Sequence, residues 1–179
     1  MNITVYCGSG VGIYKEYQEA AVALGKWIAD KGYRLIYGGG NIGLMGLVAD
    51  TALAGGSHVT GVIPEFLLEH EHGHQGDFHL EIVETMGQRK ARMLELGDIY
   101  IAMPGGVGTL EEISEAISLK RLGRQDKPCV FYDIKDYYQP LRQVFQNMVH
   151  NEFLTMADLD DIIFAKNINH LEQLLYARK

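Results

Sequence analysis

The chain has 179 residues, of which 47% are hydrophobic and 22% are charged, an ordinary composition for a globular protein with a sizeable core. A formal net charge of −7 argues against a nucleic-acid backbone or an anionic membrane as the main partner. The first residues run directly into a strand pattern without a signal-peptide pattern, and no apolar run approaches the roughly 20 residues that span a bilayer, so we expect a cytoplasmic protein.

Strand and helix patterns alternate along the whole sequence. Short apolar runs predict strands at residues 3–6, 33–37, 58–63, 80–84, 98–103, 128–132 and 162–165. Apolar residues at helical spacing predict helices at residues 14–30, 44–54, 86–96, 113–122, 137–150 and 168–176. This alternation predicts an α/β protein: a single Rossmann-like domain over residues 1–179, with an open parallel sheet and helices on both faces.

Three glycine-rich turns follow strands one, two and five, at residues 7–12, 38–43 and 104–109. In an open parallel sheet, ligands bind beyond the carboxyl ends of the strands, where the strand order reverses. We therefore expect the three turns to meet at one ligand edge. The third turn leads into a helix, whose first N–H groups lack partners within the helix and suit a phosphate. We call residues 105–109 of this turn the phosphate cradle.

Acidic residues stand directly behind the phosphate cradle. Thr109 and Glu112 fit a capping box, in which the threonine caps the helix and the glutamate bonds back to it. The alternative is a functional carboxylate. Since a carboxylate would repel a nearby phosphate, it would have to face a neutral group such as sugar hydroxyls. That alternative requires a phosphorylated sugar that extends beyond the cradle.

Two adjacent cations, Arg89 and Lys90, lie near the start of the helix after strand four. Such a charge run is often just a solvated helix face. Cations at the amino end of a helix oppose its dipole, however, so a compensating anion is expected. Glu111, Glu112 or a bound phosphate could supply it. Glu84, at the end of strand four, is a further candidate for lining the site.

Other motifs in the sequence have simpler explanations. The pattern Gly38-x-Gly40-x-x-Gly43 matches a dinucleotide fingerprint, but it follows the second strand and lacks the acidic partner, which favours a tight turn or a mononucleotide contact over NAD binding. The alternating His70, His72 and His74 suit an ordinary polar loop or lid better than a metal site. Cys7 and Cys129 are interpreted as reduced packing residues. We expect neither a metal nor a cofactor.

Several motifs together resemble those of a known family. They are Val5-Tyr6-Cys7-Gly8-Ser9, Gly38-Gly39-Gly40-Asn41-x-Gly43-Leu44-Met45-Gly46, Gly61-Val62-Ile63-Pro64, Arg89-Lys90 and Pro104-Gly105-Gly106-x-Gly108-Thr109-x-x-Glu112. Over essentially its whole length the chain resembles the Lonely Guy (LOG) family of cytokinin riboside 5′-monophosphate phosphoribohydrolases. The resemblance implies hydrolysis of the N-glycosidic bond of AMP or of adenine-type cytokinin nucleotides, which gives free base and ribose 5-phosphate.

The resemblance also assigns residues. It implies that Arg89 and Glu112 are catalytic and that the chain forms a homodimer. The expected substrate-binding set is Ser9, Gly39, Gly40, Asn41, Gly43, Met86, Lys90, Gly105, Gly106, Gly108 and Thr109, with Glu84 and Glu111 as candidate lining groups. Gly87 stands where the family usually has histidine. A carrier that binds a nucleotide or cofactor without chemistry is the alternative function, and the choice between AMP and a prenylated nucleotide stays open.

Overall fold

Seven parallel strands form one sheet in a computed structural model that describes residues 1–70 and 77–177. The strands are β1 (Asn2–Tyr6), β2 (Arg34–Tyr37), β3 (Val59–Pro64), β4 (Phe78–Val83), β5 (Ile99–Ala102), β6 (Cys129–Tyr132) and β7 (Ile162–Ala165). Their order across the sheet is β4-β3-β2-β1-β5-β6-β7, and every neighbouring pair is parallel. The order therefore reverses between β1 and β5, where an open α/β sheet binds its ligands.

Helices cover both faces of this sheet. They are α1 (Lys15–Asp30), α2 (Gly43–Ala54), α3 (Met86–Leu96), α4 (Val107–Arg121), α5 (Gln139–His150), α6 (Met156–Asp160) and α7 (Ile168–Tyr176), with 3-10 segments at Glu65–His70 and Ile134–Asp136. Alternate strand residues point to opposite faces. Val5 packs in the core that includes α1, α2 and α7, whereas its neighbour Tyr6 packs in the core that includes α3, α4 and α5. The predicted fold class is confirmed.

Three local predictions were wrong or incomplete. Helix α4 begins at Val107 with Gly106 as its N-cap, so Thr109 lies within the first turn and does not form the predicted capping box. Helix α5 begins at Gln139 rather than at 137, because a 3-10 turn with left-handed φ angles at Lys135 and Asp136 precedes it. The short helix α6 was not predicted, although Thr155 opens it with a capping box.

Some predictions fall at the margins of what the structure describes. His72 and His74 lie in residues 71–76, outside the described residues. Among the residues that are described, no three His, Cys, Asp or Glu side chains come together as a metal site would require. Within the same part of the chain, no helix is both long enough and apolar enough to cross a membrane.

Candidate active site

The glycine-rich turns after β1, β2 and β5 lie side by side, as predicted, because these strands are adjacent in the sheet. The Gly8 amide donates a hydrogen bond to the Pro104 carbonyl oxygen (3.1 Å), which joins the first turn to the third. The Leu44 amide donates to the Gly10 carbonyl oxygen (3.3 Å), which joins the second turn to the first. Gly43 has a φ of +63° and lies so close to Ser9 that a Cβ there would overlap the Ser9 backbone. The three turns form one continuous surface.

A cleft of about 220 Å³ lies between the first and third turns. It is lined by Gly8, Gly10, Gly12, Tyr17, Leu44, Pro104, Gly105, Gly106 and Tyr137. Five of these nine residues are glycines, so at these positions the cleft exposes peptide groups rather than side chains. Such a wall allows an anion to approach N–H donors closely.

The phosphate cradle combines one crowded glycine with two open ones. A Cβ on Gly105 would overlap the Thr109 hydroxyl and lie 2.9 Å from the Gly8 nitrogen, so this position has no room for a side chain. A Cβ on Gly106 or on Gly108 would meet no heavy atom within 4 Å. The open space beside Gly106 and Gly108 leaves these two peptides accessible to a ligand at the amino end of α4.

Arg89 and Glu112 form a buried ion pair between α3 and α4. The Arg89 Nη1 atom lies 2.8 Å from the Glu112 Oε1 atom, and the two side chains are only 11% and 7% exposed. Arg89 Nε also donates a hydrogen bond to the Val62 carbonyl oxygen at the end of β3 (3.0 Å). The remaining nitrogen, Nη2, lies against Gly38, where a Cβ would overlap it. The guanidinium is therefore held on three sides.

Burial and pairing act in opposite directions on Glu112. Removal from water raises the pKa of its carboxyl above the ordinary value, whereas the Arg89 cation and its hydrogen bond lower it, and the net shift is upward. Nearby Cys7 is also buried, and that burial raises the pKa of its thiol, so the thiol stays protonated at neutral pH. Cys7 thus fits the predicted packing role, and the carboxylate is the anionic group at this position.

Lys90 makes a second set of bonds between the same two helices. Its ammonium lies 2.7 Å from Glu111 and 3.2 Å from Glu115, and hydrogen bonds to these carboxylates raise its pKa. The carboxylates of α4 thus supply the anions that we expected beside the cations of α3. Glu84 instead interacts with Gln88 (3.4 Å) and lines a separate open groove between β4 and α3.

The structure places the other predicted substrate-binding residues on the second glycine-rich turn and at the start of α3. Gly39 is buried, with a φ of +85°, and packs against Ile63, while Gly40 beside it is also buried. Asn41 is half-buried, and Met86, the first residue of α3, is 37% exposed. Sequence reasoning missed Gly38, which accommodates the Arg89 guanidinium. The sequence shows Gly38 only as the first glycine of the Gly38-x-Gly40-x-x-Gly43 pattern, which does not indicate a contact with Arg89.

Comparisons with known proteins show the family to which the chain belongs. A family model described as "Possible lysine decarboxylase" matches residues 45–175. The cytokinin riboside 5′-monophosphate phosphoribohydrolase of Rhodococcoides fascians is 43% identical over 168 residues, which is 93% of this chain and 85% of that protein. The Arabidopsis thaliana protein of the same name, LOG3, is 39% identical over 173 residues, or 97% of this chain and 80% of that one. The chain belongs to the LOG family.

Several solved structures have a fold similar to that of this LOG family chain. A molybdenum cofactor binding protein from Rippkaea orientalis has a TM-score of 0.73 and 21% identity, with 99% of this chain and 96% of that chain covered. A molybdenum cofactor carrier protein from Chlamydomonas reinhardtii has a TM-score of 0.70 and 21% identity, with 98% of each chain covered. At such identities the likeness concerns the fold alone.

The description of the family model suggests a decarboxylase, and the site residues do not fit that chemistry. A lysine that forms a Schiff base with pyridoxal phosphate is activated by a lowered pKa. Lys90 is instead held by Glu111 and Glu115, which raise its pKa. The site of this LOG family member therefore lacks the lysine environment that pyridoxal phosphate chemistry requires.

Proposed function

We propose that this LOG family chain hydrolyses the N-glycosidic bond of adenine-type nucleoside 5′-monophosphates, either AMP or cytokinin nucleotides, to free base and ribose 5-phosphate. The buried Arg89–Glu112 pair beside the phosphate cradle is the observation that carries the proposal. It places one carboxylate, held by one fixed cation, at the edge of the sheet where the glycine-rich turns meet. The names of the relatives support the same reaction.

The phosphate cradle would hold the 5′-phosphate of the nucleotide. Its backbone donors lie at the amino end of α4, where the helix dipole favours an anion. Ser9 and the turn at Gly39–Gly43 would close the opposite side of the site. Binding energy from the phosphate, which does not react, would then orient the ribose over Glu112, so that the cradle contributes to rate as well as to affinity.

Glu112 would stabilise the sugar while its bond to the base breaks. Cleavage of a glycosidic bond passes through a state with positive charge on the sugar ring, which a carboxylate stabilises. The same carboxylate can orient the attacking water and accept its proton. The water oxygen joins C1′ as the bond from C1′ to the base nitrogen breaks, and the proton that Glu112 takes from the water is then passed on to the base, which leaves Glu112 ionised again. Glu112 is suited to both roles because Arg89 favours its charged form.

Arg89 would act by positioning and by charge. A guanidinium stays protonated in proteins, so it is a poor general acid. Its bonds to Glu112 and to the Val62 carbonyl hold the carboxylate in one place. In the substrate complex, Arg89 would also donate a hydrogen bond to the departing base or to the phosphate.

Base release measured by chromatography tests the reaction. AMP, isopentenyladenosine monophosphate and adenosine would be incubated with the wild type, Glu112→Ala and Arg89→Ala. We expect release from at least one nucleotide by the wild type, a fall of about 100-fold or more in each variant, and little release from adenosine. Arg92→Ala is the matched control, because Arg92 lies one turn further along α3 and pairs with Glu81 and Glu95 instead.

Each alternative predicts a different result. A carrier without chemistry would bind AMP tightly and release no adenine. Equal cleavage of adenosine and AMP would show that the phosphate does not orient the substrate, and normal turnover in either folded variant would remove that residue from the mechanism. The proposal also includes a homodimer, as the family resemblance implies, and a cytoplasmic location, as expected from the sequence pattern. Light scattering at micromolar concentration and cell fractionation would check these two points.

A further inference from the structure

Two consecutive tyrosines, Tyr137 and Tyr138, hold the turn between β5 and α4. They lie between the 3-10 turn Ile134–Asp136 and helix α5. The Tyr138 hydroxyl donates a hydrogen bond to the Met103 carbonyl oxygen (2.6 Å), and the Tyr137 hydroxyl donates one to the Gly105 carbonyl oxygen (2.5 Å). The two hydroxyls therefore bind carbonyls on either side of Pro104.

The Tyr137 bond controls a peptide of the phosphate cradle. All peptide bonds of the described residues are trans, and in a trans peptide the C=O and N–H groups point in opposite directions. When Tyr137 fixes the Gly105 carbonyl, it also fixes the direction of the Gly106 N–H. Because Gly106 is the N-cap of α4, its carbonyl starts the helix by accepting a bond from Leu110 (3.2 Å), while its N–H takes no part in the helix.

The Tyr137 ring is itself held in place. It packs edge-on against Tyr17 of α1, with ring centroids 5.9 Å apart, and edge-on against Tyr138, at 4.9 Å. The ring also forms part of the wall of the 220 Å³ cleft, together with Gly105 and Gly106. A ring fixed by two neighbours can hold its hydroxyl in one position at a low cost in conformational entropy.

We propose that Tyr137 is a positioning residue for the phosphate cradle: its hydroxyl turns the Gly105–Gly106 peptide so that the Gly106 N–H faces the 5′-phosphate of the substrate. The inference rests on the proposed function, because it assigns the cradle to a nucleotide phosphate. It adds Tyr137 to the residues of the site, and Tyr137 lies 32 positions after Gly105, whose carbonyl it binds. Tyr137 acts through the peptide and does not touch the reacting atoms.

Tyr137→Phe tests this role, with Tyr138→Phe as its matched control. Each variant removes one hydroxyl that binds a carbonyl of the same turn. The peptide after Met103 leads into Pro104, which has no N–H, so Tyr138 cannot orient an amide donor. We expect Tyr138→Phe to lower the melting temperature and to leave KM for AMP within about twofold, since the bond it loses is buried and structural.

Tyr137→Phe should instead weaken phosphate binding. Loss of one orienting hydrogen bond corresponds to about a 3- to 10-fold rise in KM for AMP, and any accompanying fall in kcat should be smaller than this rise. The dissociation constant of ribose 5-phosphate, measured by calorimetry, should rise by the same factor. Calorimetry does not depend on turnover, so it tests Tyr137 even if the wild type releases no base, a result that would refute the proposed function alone.

Three results would overturn the role of Tyr137. The first is unchanged affinity for ribose 5-phosphate in Tyr137→Phe when the wild type binds it. The second is a fall in kcat without a change in KM, which would mean that the tyrosine acts on the chemical step. The third is an equal loss of affinity in Tyr138→Phe, which would mean that any loosening of the turn has the same effect.

Discussion

Replacement of Arg89 by methionine tests the buried ion pair most directly. The substitution keeps much of the side-chain volume but leaves the Glu112 carboxylate, whose side chain is 7% exposed, without its cation. Removal of one partner from a buried pair costs about 3–5 kcal/mol, because an uncompensated charge stays in the interior. Total stabilities are commonly only about 5–15 kcal/mol, so an effect of this size is measurable by urea unfolding.

The cost of Arg89→Met should depend on pH. Burial raises the pKa of Glu112, and loss of Arg89 removes the largest effect that opposes this rise. The folded-state pKa in the variant then lies above that of the unfolded chain, so stability is greatest at acid pH and is lost as the pH rises through the folded-state value. We expect a cost of about 3–5 kcal/mol at pH 8. At pH 5 only about 1–2 kcal/mol should remain, from the lost hydrogen bonds.

Two further variants make this experiment decisive. Arg89→Met combined with Glu112→Gln removes the stranded charge, so at pH 8 the double variant should be more stable than Arg89→Met alone. Arg92→Met on the same helix should cost about 1 kcal/mol or less, because its partner Glu95 is 71% exposed. An equal cost of Arg89→Met at both pH values, or a double variant no more stable than the single one, would refute the reasoning.

Three further glycine substitutions and one pH profile give independent checks of the site. Gly38→Ala should displace the Arg89 guanidinium and reduce AMP turnover, measured as base release, by at least about tenfold. Gly87→Ala is its control, because the new Cβ meets nothing nearer than 3.8 Å. This variant should keep its turnover, and its free energy of unfolding in urea should rise by about 0.4–1 kcal/mol. Gly108→Ala should not lower the melting temperature, since its Cβ meets no heavy atom within 4 Å, yet it should raise the dissociation constant of ribose 5-phosphate by occupying the cradle. The acid limb of kcat/KM for AMP, which reports the free enzyme, should lie above the usual 4.5 of a glutamate, because the proposed mechanism needs ionised Glu112 and burial raises the pKa of this residue. A parallel pH profile of ribose 5-phosphate binding separates this limb from titration of the phosphate, and a limb at or below 4.5 would contradict the assignment.

Much of the fold could be predicted because local and global signals agree. The prediction for α3 matched Met86–Leu96, since Thr85 caps it through a capping box with Gln88 and Gly97 ends it. The capping pattern misled at Thr109, where the same residue types occur two residues inside the helix that begins at Val107. A capping-box pattern therefore indicates the start of a helix only where no residue of a preceding glycine-rich turn already caps that helix. Helix α6 was missed because five residues are too few to show a periodicity.

The candidate site was predictable where its residues are charged and adjacent in sequence. The dipole argument named the carboxylates of α4, beside a bound phosphate, as anions that could compensate Arg89 and Lys90, and the structure pairs these carboxylates with the two cations. Gly38 and Tyr137 could not be assigned in the same way. Gly38 matters because of a guanidinium 51 positions further along the chain, and Tyr137 matters because its hydroxyl reaches Gly105; neither contact has a local sequence signal.

The path of α3 has a consequence for how variants of this protein should be interpreted. Its own strand, β4, forms one edge of the sheet, yet the helix runs back across β3 and reaches β1, where the Thr4 hydroxyl binds the Met93 carbonyl (3.1 Å). The Arg89 guanidinium therefore lies on a helix that spans several strands, although the strand before this helix, β4, lies at the edge of the sheet. We therefore expect insertions or deletions beside β4 to shift the Arg89–Glu112 pair, so that changes at this edge of the sheet would alter the proposed catalysis before they alter the fold.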